Sequence, residues 1–558
     1  MNSKTRPFLH FAYWLRRTPP KNWWPQVDNL LRQAYFRSPL YPLLEEELKT
    51  PEKLEFTPPI LWQGDAAHGT NVCKNQFTYL GRTIQFGADV QWFPREANRL
   101  WLRRLHSHDW LADLHALNKS GLGHARRLIE DWLLVCSRYH PQVWQQDITA
   151  ERLINWFTYA DWFLKDISSS EREAFLYSLA DQANYLTTAL VWHRGGAPLI
   201  KNLCAIIYAG LLLPGNRSTY LEAMQHLCTQ LSTQILADGA HCARSPGVQA
   251  EVLKHLIGVR ALLLKGKQTV PAQLNDSIEK LAASLNFMQA PDGTLHRIND
   301  SLFHNADTLK VLFKNSGHFE PVAELPETGF YKLEGGKTSV FFNTGATTQA
   351  ADLNHSHANA LAFEVWHNKM PIFQNAGCYG ATVQDRTEQR QTAAANTVVI
   401  DRISSANIIG PYGIGRRPTK VTTTTVHEPS TGSGIVASHN GYRNVGVTHQ
   451  RRLFLSENGV DLRGEDTLTA KNKKTHHVAA HFHLHPAIKC HLKDPREAEL
   501  TLPDGTQAVL KAAGGRFYMQ LAPTQDETGG KTQTHRLVLT ARWRIASTLP
   551  ITRHFVPL

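Results

Sequence analysis

LNHSHANALAFEVWHNKMPIFQNAGCYGA, from Leu353 to Ala381, is the stretch on which the fold and the chemistry of this chain turn. It reads as two β-strands joined by the polar turn His367-Asn368-Lys369. Residues two apart along a strand share a face. That alternation sets His355, His357, Asn359, Leu361, Phe363 and Val365 on one side, with both imidazoles at its polar end. Neighbouring imidazoles can bind a metal, move protons or hydrogen-bond.

The β character spreads outward. It begins near residue 320 with LPETGFYKLEGGKTSVFFNTG and recurs in NTVVID, KVTTTTV, VGVTHQRRLFL, HVAAHFHLH and HRLVLTARWRI. Short alternating runs without intervening helices predict an antiparallel β-sandwich. The Thr422–Thr425 run suits an edge strand. His481, His483 and His485 alternate along one strand, spanning about 13 Å, too far for one ion. They are expected to face solvent or the cleft.

Upstream, the period changes. A helix is expected near Trp24–Tyr35 and a small hairpin over Phe77–Trp92. In GLGHARRLIEDWLLVCSR, the residues Ala125, Leu128, Ile129, Trp132, Leu133 and Cys136 keep the three-four spacing of a helix. Ser170 and Glu173 suggest a capping box before a further helix bearing Leu176, Leu179, Ala183, Leu186 and Leu190. Ser245-Pro246 reads as an N-cap followed by proline at the first helical position. Successive helices of similar length predict helical hairpins wound into a solenoid or toroid. The expected architecture is α+β: an arm over 1–75, a helical toroid over 76–318 and a β-sandwich over 319–558. The cleft between such domains is the expected binding site.

Composition agrees. The 558 residues exceed one ordinary core, and 42% hydrophobic with 19% charged residues describe a folded chain. No run approaches the ~20 apolar residues that cross a bilayer. No signal-peptide pattern opens the sequence, so a cytoplasmic location is expected, with a periplasmic one left open. Seven scattered cysteines without a CxxC pair read as free thiols. Twelve of the fourteen tryptophans precede residue 200 and are expected mostly in the core. A net charge of +12 favours an anionic partner. Neither a basic stripe with a nucleic-acid motif nor a basic amphipathic helix is evident, so nucleic acid and membrane are not expected partners.

DGAHCARSP (Asp238–Pro246), NHSHANALAFE (Asn354–Glu364), NAGCYG (Asn375–Gly380), RQTAAANTVVID (Arg390–Asp401), HNGYRNVGVTHQRRLF (His439–Phe454) and FHLHP (Phe482–Pro486) resemble the heparinase II/III-like polysaccharide lyases. The resemblance runs in patches from about Phe77 to about Trp543. It implies an (α/α) toroid followed by an antiparallel sandwich, and β-elimination on a uronic-acid-containing chain. That reaction needs a group to neutralise the uronate carboxylate, a base for the C5 proton and an acid for the leaving oxygen.

Carried onto this sequence, the resemblance is uneven. The family's helical pattern GNHLLxN stands here as Gly196 to Asn202, with Ala197-Pro198 in place of Asn-His. Of DGGHxERSPxYH, the residues Asp238, Gly239, His241, Arg244, Ser245 and Pro246 remain, while Ala243, Val248 and Gln249 replace Glu, Tyr and His. Alanine, proline and valine side chains neither donate nor accept a proton. In the β half His355 and His357 match the HxH, Tyr379 the tyrosine of a TYG-like turn, and His439, Tyr442 and His449 the HDGY…H segment. The family zinc site retains only His357 as a good ligand, with Asn375 and Ala395 at its other positions, so no cofactor is expected.

Two functions follow from the resemblance. One is an active lyase with His355, Tyr379 and Tyr442 as catalytic candidates and Arg244, His241, Asn354, Asn359 and His439 contacting an acidic polysaccharide. The other is a catalytically degenerate carbohydrate-binding relative in exopolysaccharide or capsule metabolism.

Overall fold

The computed structural model describes residues 24–38, 50–192, 195–302, 305–346, 354–379, 382–428, 430–470, 474–544 and 551–557. Leu353, Gly380 and Ala381, which bound the opening stretch, lie outside them, as does most of the expected arm.

The helical part comprises α1 (Trp24–Arg37), α2 (Ala66–Cys73), α3 (Arg99–Ser107), α4 (Trp110–Ala116), α5 (Lys119–Cys136) and α6 (Gln146–Phe163). It continues through α7 (Ser169–Ala189), α8 (Ala197–Leu212), α9 (Arg217–Gln234), α10 (Pro246–Lys265), α11 (Ala272–Phe287) and α12 (Ala306–Ser316). A small hairpin, β1 (Gln76–Tyr79) and β2 (Arg82–Gln85), precedes α3. Burial alternates along the helices. In α6, α8 and α10, 12 of 18, 13 of 16 and 14 of 20 residues are buried. In α5 and α9 only 6 of 18 are. Inner helices packed on all sides alternate with outer helices that bury one stripe, which is how a toroid of hairpins covers its apolar surface. Gly210 lets α8 and α9 approach, because a Cβ there would stand 2.6 Å from the backbone nitrogen of Tyr220.

Local signals set several helix ends. Ser245 caps α10 and Pro246 follows at its first position. The capping box of α7 uses Ser168 and Glu171 rather than Ser170 and Glu173. Both pairs fit the spacing rule, and the serine at the true chain reversal takes the role.

Past residue 320 the chain is β. Strands β3 (Phe330–Gly335), β4 (Thr338–Asn343), β5 (Phe363–His367) and β6 (Met370–Phe373) form one antiparallel sheet. A short helix, α13 (Val383–Gln389), then leads to β7 (Val398–Ile400), β8 (Ile408–Ile409) and β9 (Gly413–Ile414). Next come β10 (Val421–Glu428), β11 (Gly432–His439), β12 (Val447–Ser456), β13 (Leu462–Ala470) and β14 (Thr475–His483). The last are β15 (Lys489–Asp494), β16 (Glu497–Thr501), β17 (Gln507–Ala512), β18 (Arg516–Gln525), β19 (Lys531–Arg544) and β20 (Ile551–Pro557). An eight-stranded sheet, β10-β11-β12-β13-β20-β17-β16-β15, faces a four-stranded one, β18-β19-β14-β7. The threonine-rich β10 is an edge, as its composition suggests. Alternating inward residues of β12 (Val447, Leu453, Leu455) and β14 (Val478, Ala480, Phe482) share the sandwich core.

Two expectations need correction. The first strand of the opening stretch starts only at Phe363, so His355 and His357 lie on a loop and not on a strand face. The backbone of that segment is spent on loop contacts rather than a strand ladder, such as Ala358 N–H to the Arg390 carbonyl. His481 and His483 are buried, not facing solvent or the cleft.

The domains are tied by a small apolar cluster in which Phe287, Met288 and Ile298 meet Leu325, Phe330 and Phe341. Polar ties reinforce it. Asp238 accepts from the Thr328 backbone at 2.6 Å, and Arg297 donates to the Gln525 carbonyl at 2.9 Å.

Candidate functional site

At the junction of the two domains, sandwich residues gather on a carboxylate of the preceding linker, Asp300. His355 Nδ1 lies 3.2 Å from its Oδ2, and His357 Nε2 lies 3.3 Å from its Oδ1. Cys378 Sγ donates to Oδ1 at 3.4 Å. Arg386, in α13, donates from Nη1 to Oδ1 at 3.0 Å and from Nη2 to Oδ2. Burial would raise the Asp300 carboxyl, but the Arg386 charge and the two imidazole hydrogen bonds outweigh it and hold the group well below its ordinary value.

An ionised Asp300 only accepts, so His355 presents Nδ1–H to it and turns Nε2 away from it. The Asn354 amide nitrogen stands 3.3 Å from that Nε2. The His355 side chain is 20% exposed, whereas that of His357 is 6% exposed and burial keeps it neutral against the pull of Asp300. His355 is therefore the imidazole of this pair that a ligand can reach. Tyr412 completes the wall, its ring 5.0 Å from the Arg386 guanidinium and 5.2 Å from that of Arg99 at the start of α3.

On the helical side, where Arg99 meets Tyr412, the N-terminal halves of α3, α6, α8 and α10 carry a cluster of charges. Arg103 pairs with Asp147. Lys201 lies 2.7 Å from Glu151, which also faces His255 at 3.3 Å and Lys254 at 3.6 Å. Glu251 stands 4.0 Å from Lys201. Burial opposes the charge on Glu151, and the surrounding cations override it and push its carboxyl well down. Lys201 is one turn beyond Ala197-Pro198, and Glu251 follows Val248-Gln249. Charged residues thus stand next to Ala197, Pro198 and Val248, whose side chains neither donate nor accept a proton.

The other sequence-derived candidates do not join this group. Arg244 is buried, donates to the Thr328 carbonyl and to Asn343 Oδ1 at 2.6 Å each, and packs over Phe330. It ties the domains, and Asn359 extends the same link by accepting from Asn343 at 3.0 Å. His241 is fully buried against Gln234 and the Ala243 backbone. Tyr442 is fully buried, its hydroxyl given to the Val398 carbonyl. His439 Nδ1 accepts from Gly441, so its Nε2–H donates to His449 Nδ1 at 3.1 Å. His449 in turn reaches Asp466 at 2.8 Å, and Arg451 closes the chain at 2.7 Å. This relay is internal to the sandwich. Tyr379 is buried with Lys531 Nζ 5.7 Å from its ring, and burial pushes its phenol up, away from the range useful for proton transfer.

The residues at the expected zinc position do not fit that metal. Asn375 Oδ1 accepts from the Asn396 backbone at 2.8 Å, its amide donates to Glu364, and Ala395 offers no donor. Around Asp300, the Arg386 fork already occupies both carboxylate oxygens.

Residues 72–324 match the heparinase II/III N-terminus model, and residues 319–549 match the heparinase II/III-like C-terminal model. The chain belongs to the heparinase II/III-like family. A curated relative, FtsZ-localized protein C of Caulobacter vibrioides, is 27% identical over 471 residues, covering 79% of this chain and 80% of that one. Among solved structures, heparinase III superposes with a TM-score of 0.73 at 15% identity, covering 95% of this chain and 89% of that one. A heparan sulfate lyase mutant from Pedobacter heparinus superposes at 0.57 and 15% identity, covering 95% and 88%. The chain is thus a divergent, polysaccharide lyase-like member with the family's two-domain architecture.

Asp300, Arg386, Tyr412 and the Glu151–Lys201–His255 group escape sequence reasoning, because each belongs to a different segment. Only Arg386 carries a local hint, standing four residues before the family-like RQTAAAN run.

Proposed function

We propose that the interdomain cleft binds an acidic polysaccharide and holds it without eliminative cleavage. The composition of the two walls carries this reading. Arg99, Arg103 and Lys254 are exposed or partly exposed on the helical side, where Arg99 meets Tyr412, and His355 is partly exposed on the sandwich side. Guanidinium groups and an aromatic face suit a carboxylated or sulfated sugar chain. Elimination needs a neutraliser, a base and an acid acting together. His355 Nε2 points away from Asp300 and is the remaining candidate base, but Arg244 and Tyr442 are committed elsewhere and burial pushes the Tyr379 phenol up. Each missing group removes about 10²–10⁴-fold in rate.

The test pairs retention with turnover. The protein is passed over immobilised polyuronate and sulfated glycan, then incubated with the same polymers while the ultraviolet absorbance of an unsaturated uronate is followed. Retention without an absorbance rise is expected. Absence of retention on every acidic polymer overturns the binding claim. A rise that disappears in His355→Ala overturns the non-cleaving claim and makes His355 the base.

A second reading rests on the relative named FtsZ-localized protein C, whose 27% identity exceeds the 15% shared with the lyases. On that reading this chain associates with FtsZ. Co-sedimentation with FtsZ filaments, with and without bound polysaccharide, separates the two.

A further inference from the structure

A second pocket lies outside the Asp300 group, between the loop after α11 and the outer face of β3 and β4. Its volume is about 350 Å³. We propose that it is a binding site for a single sugar-borne oxyanion, a uronate carboxylate or a sulfate ester, independent of the cleft.

Its lining supplies donors. Lys332 on β3 and Lys337 in the β3–β4 turn bring two ammonium groups, with Ser339 and Asn368 beside them. Lys332 Nζ donates to the Gln289 carbonyl at 3.2 Å and sits 4.9 Å from the Phe287 ring. Neither lysine forms an ion pair among the described residues. Burial lowers the Lys332 ammonium, and nearby Glu334 only partly offsets it, as expected of a sheltered cation lacking its counter-charge. His296 lines the same pocket, stacked on Phe341 at 4.0 Å and bonded to Glu364 at 2.8 Å. Burial keeps it neutral, so the pocket's formal charge, from Lys332, Lys337 and Glu334, is positive.

Lys332 pairs across the sheet with Phe341, and Ser339 lies two residues from Phe341, so the ammonium and the hydroxyl sit on one face of the sheet and line the same pocket. The volume suits one sugar ring rather than a polymer.

Isothermal titration with glucuronate, N-acetylglucosamine 6-sulfate and glucose tests this on the full chain. Binding of at least one anionic sugar and none of glucose is expected, and the two anionic arms show which oxyanion is preferred. Lys332→Gln is expected to weaken binding by about tenfold or more. Its melting temperature should change little, because Lys332 is half-buried and forms no ion pair among the described residues. Lys337→Gln, at an exposed position that folding does not need, should weaken binding by a smaller factor. Arg99→Ala, in the cleft, should leave it unchanged. Equal binding of glucose, no binding of either anionic sugar, or loss in Arg99→Ala with retention in Lys332→Gln overturns the proposal. Polymer retention lost in Arg99→Ala bears on the cleft alone, so the two sites fail separately.

Discussion

Arg386 and Asp300 meet through both carboxylate oxygens, in a buried contact where the side chains are 7% and 6% exposed. The pair joins the helix α13 of the sandwich to the linker leaving the toroid. His355, His357 and Cys378 depend on the same carboxylate. Breaking a buried pair strands the surviving charge. Asp300→Ala is therefore expected to cost about 3–5 kcal/mol in chemical denaturation. Double replacement of Asp300 and Arg386 by apolar residues should cost less than the sum of the singles. Strict additivity would show that the pair is not coupled.

Tyr412 stands between Arg386 and Arg99 at the mouth of the cleft. Tyr412→Ala should lower the salt needed to elute the protein from immobilised polyanion, by a loss of about 0.5–1 kcal/mol for an exposed cation–π site. Tyr412→Phe keeps the ring and should elute as the parent does. A hydroxyl-dependent interaction would make the two variants behave alike.

Arg244 holds two acceptors across the domain boundary, and its own charge is weakened by burial, which brings its guanidinium down to about 10. Arg244→Ala leaves Asn343 Oδ1 and the Thr328 carbonyl short of a donor. A loss of about 3 kcal/mol is expected in thermal or chemical unfolding. The fraction still folded should keep its polyanion retention. Selective loss of retention at full stability would return Arg244 to the list of ligand contacts.

Acid should destabilise the protein before any carboxylate titrates. Burial brings His106 and His481 each down to about 3, and Arg152 and Arg536 respectively add to the effect. The unfolded chain binds a proton on each near pH 6.5, whereas the folded chain refuses it. Their stabilisation is present above that value and declines as pH falls toward about 3. From pH 6.5 to 5 each should remove about 2 kcal/mol. The depressed carboxylates, Asp300 and Glu151, act in the same direction only at lower pH, below the ordinary carboxyl range. Melting temperature should fall between pH 7 and pH 5, and His481→Gln should flatten the fall. A melting temperature independent of pH in this window would contradict the burial of these imidazoles.

The linear sequence determined the classes of structure. Three-four spacing marked the buried stripe of α5, and alternation marked β12 and the edge strand β10. Ser245-Pro246 marked the start of α10, because caps and periodicity are local properties of a few neighbouring residues. That Ala197, Pro198, Ala243 and Val248 carry side chains that move no proton was equally plain, since side-chain chemistry needs no fold to be read. Tertiary structure decided where the retained groups go. His355 and His357 turn onto Asp300 through a loop where alternation expects a strand, because an ionised carboxylate 55 residues upstream is held there by Arg386. Tyr442 and His439 turn inward to satisfy buried backbone and imidazole partners, and Arg244 spans the domain boundary. Which of two chemically able side chains faces the cleft depends on contacts between distant segments, and no local pattern carries that information.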